Sequence, residues 1–221
     1  MKKIGIIGGA GPLASALLYE TLVKECYALR KPVPEMVLIN YPFTRGLTLT
    51  ERDQHHHILK HELTSASQIL IQQEVDIALL ACNTLHKYLG EISFPNIEFL
   101  SLPQAVLSNA LTHNHRNLLI LGTQNTCFEG LYKHRDVKLV YPEYAEQALI
   151  DRIIDQVLEG TILSENAFLI SQMLKMKKGC DGAVLGCTEL AVLHHHFPIR
   201  SPLTIYDSIK IPAQILIRGL S

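Results

Sequence analysis

The protein has 221 residues, of which 48% are hydrophobic and 19% are charged. This composition is typical of a globular chain that forms one large domain or two small ones. Its 20 Lys and Arg residues and its 21 Asp and Glu residues nearly cancel, leaving a net charge of −1. Nucleic-acid binding depends on clustered cations, and a membrane span needs a long uncharged apolar stretch, so we expect neither partner. The expected partner is a small molecule.

Five cysteines are scattered along the chain, an odd number with no Cys-x-x-Cys pair. They match neither a disulfide framework nor a zinc ribbon, which favours a reducing compartment. The N-terminus partly resembles a secretory signal, since Met1-Lys2-Lys3 precedes an apolar stretch that ends in small residues. Glycines and a proline between residues 5 and 12 suit a strand and a turn better than a signal helix, so we expect a cytoplasmic protein.

Short apolar runs alternate with longer segments of helical periodicity, a pattern typical of a parallel sheet covered by helices. Strands are predicted at residues 3–7, 36–39, 75–81, 97–100, 118–121, 137–140, 182–185 and 203–206. Helices are predicted at residues 13–28, 55–73, 85–92, 104–111, 128–134, 143–158, 164–177, 190–194 and 209–217. The alternation predicts an α/β fold throughout.

The predicted strands form two similar sets of four. The third strand of each set leads into a cysteine and polar residues, Ala-Leu-Leu-Ala-Cys-Asn-Thr at 78–84 and Ala-Val-Leu-Gly-Cys-Thr-Glu at 183–189. This internal duplication predicts two pseudo-symmetric doubly wound domains, each with a four-stranded parallel sheet. We assign residues 1–107 to the first domain, with a C-terminal helix at 208–221 packing back on it. Residues 108–207 form the second, and the active site is expected in the cleft between the two.

Cys82 and Cys187 stand at equivalent places in the two sets, where a strand leads into a helix. Ligands of open α/β sheets bind beyond the carboxyl ends of the strands. Backbone N–H groups that open a helix stabilise a thiolate, so we expect the pKa of both thiols to fall below about 8.5. A cysteine is often only a small buried apolar residue, and that interpretation suits Cys26, Cys127 and Cys180. Two halves that face each other would place Cys82 and Cys187 on opposite sides of one cleft.

Four motifs together resemble the aspartate/glutamate racemase family over essentially the whole chain. They are Ile-Gly-Ile-Ile-Gly-Gly-Ala-Gly-Pro-Leu-Ala at 4–14, Cys-Asn-Thr-Leu-His at 82–86, Leu-Gly-Thr at 121–123 and Gly-Cys-Thr-Glu at 186–189. The resemblance is closest to the aspartate racemase branch. The glutamate racemase branch usually has Asp-Ser in the first loop and Cys-Thr-His in the last, where this chain has Gly8-Gly9 and Cys187-Thr188-Glu189.

The resemblance implies a cofactor-independent racemase of aspartate, glutamate or a related amino acid, without a metal. Cys82 and Cys187 would act as paired acid and base at the α-carbon. Asn83, Thr84 and Thr188 would hold the substrate carboxylate. The matching motifs imply further substrate-binding residues at Gly9, Gly11, Thr123 and Glu189. We also expect a homodimer.

The residue types suit this chemistry. Inversion of a stereocentre by proton transfer needs a base on one face of the carbon and an acid on the other. Donors at helix N-termini stabilise the negative charge that develops on the carboxylate. Asn and Thr at these positions are also ordinary N-caps, and one residue can serve both purposes.

An acidic substrate needs a cation for its second carboxylate, and Arg45 and Arg52 follow the second predicted strand. Aspartate racemases of the family carry an arginine in this loop, although either residue could be a solvated arginine without a role. A second basic residue of some members is replaced by Glu159, before Gly160, which leaves strict aspartate specificity open. His86, one helical turn after Cys82, is interpreted as a structural histidine or as a residue that tunes the thiol.

Other functions fit fewer residues. The histidine triplets at 55–57 and 194–196 chelate a metal poorly, because consecutive helical residues point about 100° apart. A relaxed Gly-x-Gly-x-x-Ala follows the first strand at 9–14, but the second strand ends in Asn40-Tyr41-Pro42 and not in the acid of a dinucleotide site. A single-cysteine decarboxylase, a cis-trans isomerase of dicarboxylates and a non-catalytic amino-acid-binding relative stay open as alternatives.

Overall fold

The structure is a computed structural model that describes residues 1–44 and 52–220, without the side chains of residues 52–55 and 128. Its strands are β1 (Ile4–Gly8), β2 (Met36–Asn40), β3 (Ile77–Leu80), β4 (Glu98–Phe99), β5 (Asn117–Leu121), β6 (Lys138–Val140), β7 (Gly182–Leu185) and β8 (Thr204–Asp207). Its helices are α1 (Pro12–Ala28), α2 (Arg52–Gln72), α3 (Leu102–Thr112), α4 (Gln124–Phe128), α5 (Tyr144–Leu158), α6 (Ser164–Met176), α7 (Thr188–His196) and α8 (Lys210–Gly219), with a 3-10 helix at Thr84–Glu91. Within the described ranges, no helix is long and apolar enough to cross a membrane.

The strands form two four-stranded sheets with equivalent strand order. The first sheet is β2-β1-β3-β4 and the second is β6-β5-β7-β8, and all paired strands are parallel. The predicted α/β fold with two duplicated parallel sheets is confirmed. The strand order reverses between the first and third strand of each set. The loops after β1 and β3, and those after β5 and β7, therefore border the crevices in which ligands of such sheets bind.

Burial explains why the inner strands could be predicted from the sequence. All residues of β1, β3 and β7 are buried, which matches their uninterrupted apolar runs. The edge strands are less regular: β2 is partly exposed, and β4 has two residues where four were predicted. The central strands, which lead into the two cysteines, are therefore the best specified parts of the sheets.

The two halves share one continuous core. Leu18 of α1, Leu190 of α7 and Ile217 of α8 belong to the same cluster of buried side chains. The C-terminal helix α8 packs on α1, where Gln214 Nε2 donates a 3.1 Å hydrogen bond to Glu25 Oε1. The halves are thus joined by apolar contacts as well as by the chain.

Helix α3 crosses residue 107, where the sequence analysis divides the two domains. Its buried residues Val106, Leu107 and Ala110 lie in one cluster with Leu118 of β5 and Val184 of β7. The helix therefore covers the second sheet, although its first turns precede residue 108.

The predicted helix at residues 128–134 is wrong, because α4 covers Gln124–Phe128 instead. The side-chain oxygen of Thr123 accepts a 3.2 Å hydrogen bond from the Thr126 N–H, as an N-cap does, and so begins the helix early. Gly130, with φ of +62°, follows the helix in a conformation that favours glycine. Residues 129–134 form turns and irregular backbone, which places the side chain of Tyr132 in a loop.

Lys31 binds the end of α8, and its removal tests how firmly that helix is held. Its Nζ donates hydrogen bonds to the carbonyl oxygens of Ile217, at 2.8 Å, and of Leu220. Lys31→Met keeps the alkyl chain but removes the donors, so we expect the free energy of unfolding to fall by about 1–2 kcal/mol in urea denaturation. The control is Lys24→Met, since Lys24 forms an exposed ion pair with Glu20 and should change stability by less than about 0.5 kcal/mol. Equal losses in the two variants would contradict the assignment.

Candidate active site

Cys82 and Cys187 each stand two residues beyond the third strand of their sheet, after β3 and after β7. Cys187 is the N-cap residue of α7 and is 6% exposed. Cys82 is partly exposed and precedes the 3-10 helix. The two cysteines therefore occupy equivalent positions at the carboxyl edges of the two sheets.

The two thiols influence each other electrostatically. The pKa of Cys187 is raised well above its ordinary value, first by burial, then by the Glu189 carboxylate, and further by the charge of Cys82. The two cysteine segments also lie near one another, because Thr188 Oγ1, next to Cys187, is 3.5 Å from the carbonyl oxygen of Ala81, next to Cys82. The predicted lowering of the pKa is wrong for Cys187, because the hydrogen bond from the backbone at Glu189 lowers it less than burial and the carboxylate raise it.

Glu189 is bonded to the Cys187 thiol. Sγ donates to Oε2 of Glu189 at 2.8 Å, and the Thr188 hydroxyl donates to the same oxygen at 3.2 Å. The other carboxylate oxygen, Oε1, lies against Gly11, where an added Cβ would overlap it. Glu189 was predicted to bind substrate; its buried carboxylate is placed to hold Cys187 in the thiol form.

The side chain of Asn83 joins the two halves. Its Nδ2 donates to Ser208 Oγ at 3.0 Å, and its Oδ1 accepts a hydrogen bond from the Tyr132 hydroxyl at 2.7 Å. All three side chains are buried, with at most 1% of each residue exposed. These bonds fix the orientation of the amide that was predicted to hold a carboxylate. Sequence reasoning missed Tyr132 and Ser208, because neither belongs to a motif and both contacts join distant parts of the chain.

Three threonine hydroxyls meet between the two halves. Oγ1 of Thr84 lies 3.3 Å from that of Thr123 and 3.2 Å from that of Thr126, and the latter two lie 3.1 Å apart. Next to the two cysteines, Oγ1 of Thr188, which follows Cys187, lies 3.5 Å from the carbonyl oxygen of Ala81, which precedes Cys82. Thr126 was not predicted, although its spacing of three residues from Thr123 places both on one side of a helix start.

Comparison with known proteins decides the family. A family model described as Asp/Glu/Hydantoin racemase matches residues 7–216. The chain belongs to this racemase family. The fold is similar to an aspartate racemase homologue from Pyrococcus horikoshii OT3, with a TM-score of 0.74 and 25% identity over 99% of this chain and 98% of that one.

Two other racemase structures share the fold. Picrophilus torridus aspartate racemase is 22% identical over 99% of this chain and 94% of its own, with a TM-score of 0.74. Glutamate racemase from Francisella tularensis subsp. tularensis SCHU S4, in complex with D-glutamate, is 16% identical over 98% of this chain and 80% of its own, with a TM-score of 0.68. These two likenesses show the fold, and membership of the family supports an amino-acid racemase.

Close packing explains why the loop after β1 has glycine at positions 9 and 11. Gly9 has φ of +111°, and a Cβ there would overlap the carbonyl oxygen of Tyr41. The Tyr41 N–H in turn donates a 3.0 Å hydrogen bond to the carbonyl of Gly8, which ties the end of β2 to the loop after β1. Gly11 leaves room for the carboxylate of Glu189. Both predicted glycines thus lie at the edge of the site, and each has a packing reason to be glycine.

The two arginines predicted to bind the second carboxylate have no described side chain. Arg45 lies outside the described residues, and Arg52 is the first residue of α2. The assignment of Arg45 and Arg52 therefore stays a prediction.

The histidine triplets were weighed as metal ligands. The part of the chain that the structure describes contains no group of three or more His, Cys, Asp and Glu side chains that could hold a metal ion. In the second triplet, His194 Nδ1 accepts a 3.0 Å hydrogen bond from the Ile199 N–H, and His196 Nδ1 lies 3.0 Å from the Val192 carbonyl oxygen. These contacts serve the local backbone.

His86 is a structural histidine that holds the loop of Cys82. Its Nδ1 donates to the Cys82 carbonyl at 2.8 Å, and its Nε2 accepts a hydrogen bond from the Leu102 N–H at 3.1 Å. A proton on Nε2 would oppose that N–H, and burial lowers the pKa of His86 to about 4. The ring is therefore neutral at physiological pH and links the Cys82 loop to the start of α3.

His86 should make folding stability depend on pH. Its pKa is about 4 in the folded protein and about 6.5 in the unfolded chain, so its contribution is complete above pH 6.5 and is lost as the pH falls toward 4. Between these limits we expect wild type to lose on the order of 2–3 kcal/mol more than His86→Gln in urea denaturation. His195→Gln, which changes an exposed histidine, should keep the wild-type slope. The same slope in His86→Gln would contradict the assignment.

Proposed function

We propose that the protein is a cofactor-independent amino-acid racemase that acts on aspartate or a similar acidic amino acid. The observation that carries this proposal is the placement of Cys82 and Cys187 at equivalent strand ends, where Thr188 Oγ1, next to Cys187, lies 3.5 Å from the carbonyl oxygen of Ala81, next to Cys82. Inversion needs a base on one face of the α-carbon and an acid on the other. One cysteine from each half supplies both groups.

The proposed reaction balances in protons. One cysteine, as thiolate, removes the α-proton and becomes a thiol. The other, as thiol, gives its proton to the opposite face of the carbanion and becomes a thiolate. The carbanion spreads its charge onto the substrate carboxylate, toward which the hydroxyls of Thr84 and Thr188 and the helix N-termini can donate hydrogen bonds. These steps require no electron acceptor.

Glu189 gives the two cysteines different resting forms. The Cys187 thiol donates its hydrogen bond to Glu189, and burial together with this carboxylate raises the pKa of Cys187. Cys187 therefore rests as the acid, and Cys82 is the base that starts the reaction from this state. In the opposite direction Cys187 must start as the thiolate. This is the form in which the first direction leaves Cys187, with Cys82 as the thiol, so the reverse reaction needs no further proton acceptor.

The second carboxylate of the substrate requires a cation, for which we propose Arg45. It follows β2 more closely in the chain than Arg52 does, and the end of β2 is tied to the loop that contains Gly9. The single-cysteine decarboxylases and isomerases are the weaker alternative, because they leave one cysteine of the pair without a role.

Replacement of each cysteine tests the two-thiol mechanism. Cys82→Ala and Cys187→Ala should each abolish racemisation, because one of the two proton transfers loses its group. The surviving thiol can still deprotonate its own enantiomer. In D₂O the two variants should therefore exchange the α-protons of opposite enantiomers of aspartate, as followed by proton NMR and chiral chromatography. Cys180→Ala, which removes a partly buried thiol elsewhere, is the control and should keep the wild-type rate.

Three outcomes would count against this mechanism. Racemisation by Cys187→Ala at the wild-type rate would point to single-thiol chemistry, as would exchange of the same enantiomer by both variants. The assays are made after EDTA treatment and without added pyridoxal phosphate. Activity that is lost on chelation and restored by zinc would contradict cofactor independence.

Replacement of Arg45 tests the substrate class. Arg45→Ala should raise KM for aspartate or glutamate about tenfold to a hundredfold, because a charge-assisted contact contributes about 1.5–3 kcal/mol. KM for a neutral amino acid should change much less. Arg52→Ala is the matched control, since it removes the same charge seven positions along the chain. Equal effects of Arg45→Ala on acidic and neutral substrates would refute the assignment.

A further inference from the structure

Tyr132 is a residue of the second half that touches the backbone segments of both cysteines. We call residues 81–83 the Cys82 loop and residues 186–188 the Cys187 loop. Tyr132 contacts the residue that follows Cys82 and the residue that precedes Cys187. We infer that Tyr132 is a positioning residue that sets the separation of the two thiols. This inference rests on the proposed function.

The first contact is a short buried hydrogen bond to the Cys82 loop. The Tyr132 hydroxyl donates to Asn83 Oδ1 at 2.7 Å, and both residues are 1% exposed. Because Oδ1 faces Tyr132, the amide nitrogen of Asn83 faces Ser208, to which it donates at 3.0 Å. Burial raises the pKa of Tyr132 well above its ordinary value, so the hydroxyl stays protonated and continues to donate. Asn83 is thus held on two sides, by Tyr132 of the second half and by Ser208, which directly follows β8.

The second contact is the packing of the Tyr132 ring against the Cys187 loop. A Cβ added to Gly186 would lie 3.2 Å from Cε2 of Tyr132, closer than ordinary van der Waals contact. A side chain at position 186 would require the ring to shift by a few tenths of an ångström, so glycine lets the ring lie this near the backbone that precedes Cys187. One rigid aromatic side chain spans the space between the two loops.

A second contact links the same two loops, from a side chain of the Cys187 loop to the backbone of the Cys82 loop. Oγ1 of Thr188, which follows Cys187, lies 3.5 Å from the carbonyl oxygen of Ala81, which precedes Cys82. The Cys82 loop is thus linked to the Cys187 loop in two ways, directly by Thr188 and through the side chain of Tyr132. The separation of the thiols matters because both must reach the same α-carbon, and a misplacement of about 1 Å can reduce a rate about a hundredfold.

Tyr132→Phe tests the inference, since it removes the hydroxyl and keeps the ring against Gly186. We expect kcat for racemisation to fall at least about tenfold in both directions, with KM within about twofold, because Thr84 and Thr188 still hold the carboxylate. Tyr206→Phe is the matched control: its hydroxyl is also buried, within 2.7 Å of His115 Nδ1, and lies away from both loops. This control should keep kcat within about twofold.

Alkylation provides a readout that does not depend on activity. Cys187 is 6% exposed, so its reaction with iodoacetamide reports whether the two loops stay together. We expect Tyr132→Phe to speed alkylation of Cys187 about tenfold, measured by peptide mass spectrometry, and Tyr206→Phe to leave it unchanged. Unchanged alkylation and unchanged kcat in Tyr132→Phe, with a loss of thermal stability like that of Tyr206→Phe, would show a merely structural role and overturn the inference.

Two other results can be interpreted with these experiments: failure of Tyr132→Phe to fold, and lack of racemase activity in the wild-type protein. If Tyr132→Phe does not fold, Ser208→Ala removes the other partner of Asn83 and should also lower kcat and speed alkylation of Cys187. Wild-type values of both quantities in Ser208→Ala would then overturn the inference. If wild-type protein racemises no amino acid, the proposed function fails, and the alkylation rates alone decide whether Tyr132 holds the loops.

Discussion

Residues that follow the two cysteines form polar contacts with the opposite half of the molecule. Asn83 bonds to Tyr132, Thr84 meets the hydroxyls of Thr123 and Thr126, and Thr188 lies near Ala81. A buried polar group that loses its partner costs about 1–3 kcal/mol, so opening the two halves widely would require several such losses together. Combined with the continuous apolar core between α1, α7 and α8, these contacts give the cleft a nearly fixed width. In the proposed mechanism two thiols on different halves serve one carbon atom, and these contacts oppose a change in their separation.

The duplicated fold makes the backbone symmetric, but the side chains make the site asymmetric. The neutral ring of His86 holds the Cys82 loop, whereas a carboxylate, that of Glu189, bonds to the Cys187 thiol. The two cysteines therefore stand in chemically different surroundings. Enantiomers have equal free energies in solution, so a racemase must have equal kcat/KM in its two directions. Under the proposed mechanism, this asymmetry can therefore change kcat in the two directions only together with KM.

The features that could be predicted from the sequence are those encoded locally. Uninterrupted apolar runs indicated the central strands, and the repeated cysteine segments indicated both the duplication and the candidate thiols. The helix at 128–134 was wrong because the capping oxygen of Thr123 begins α4 earlier than apolar periodicity indicates. Tyr132, which lies in that misassigned segment, and the raised pKa of Cys187 depend on contacts between distant parts of the chain. No spacing or composition rule contains such information.

The contacts of Glu189 also explain why the glycine-rich segment after β1 differs from a nucleotide site. In a nucleotide-binding protein, the N-terminus of the helix after this loop faces a phosphate. Here α1 begins after Gly11, which has no side chain to cap it, and the carboxylate of Glu189 lies against that residue from the other half. The positive end of the helix dipole stabilises a negative charge at this place, and the Cys187 thiol and the Thr188 hydroxyl donate to the same carboxylate. Gly11 therefore leaves room for the carboxylate of Glu189, whereas the glycine of a dinucleotide site leaves room for a phosphate. Through its hydrogen bond with Cys187, this carboxylate also favours the protonated form of the cysteine.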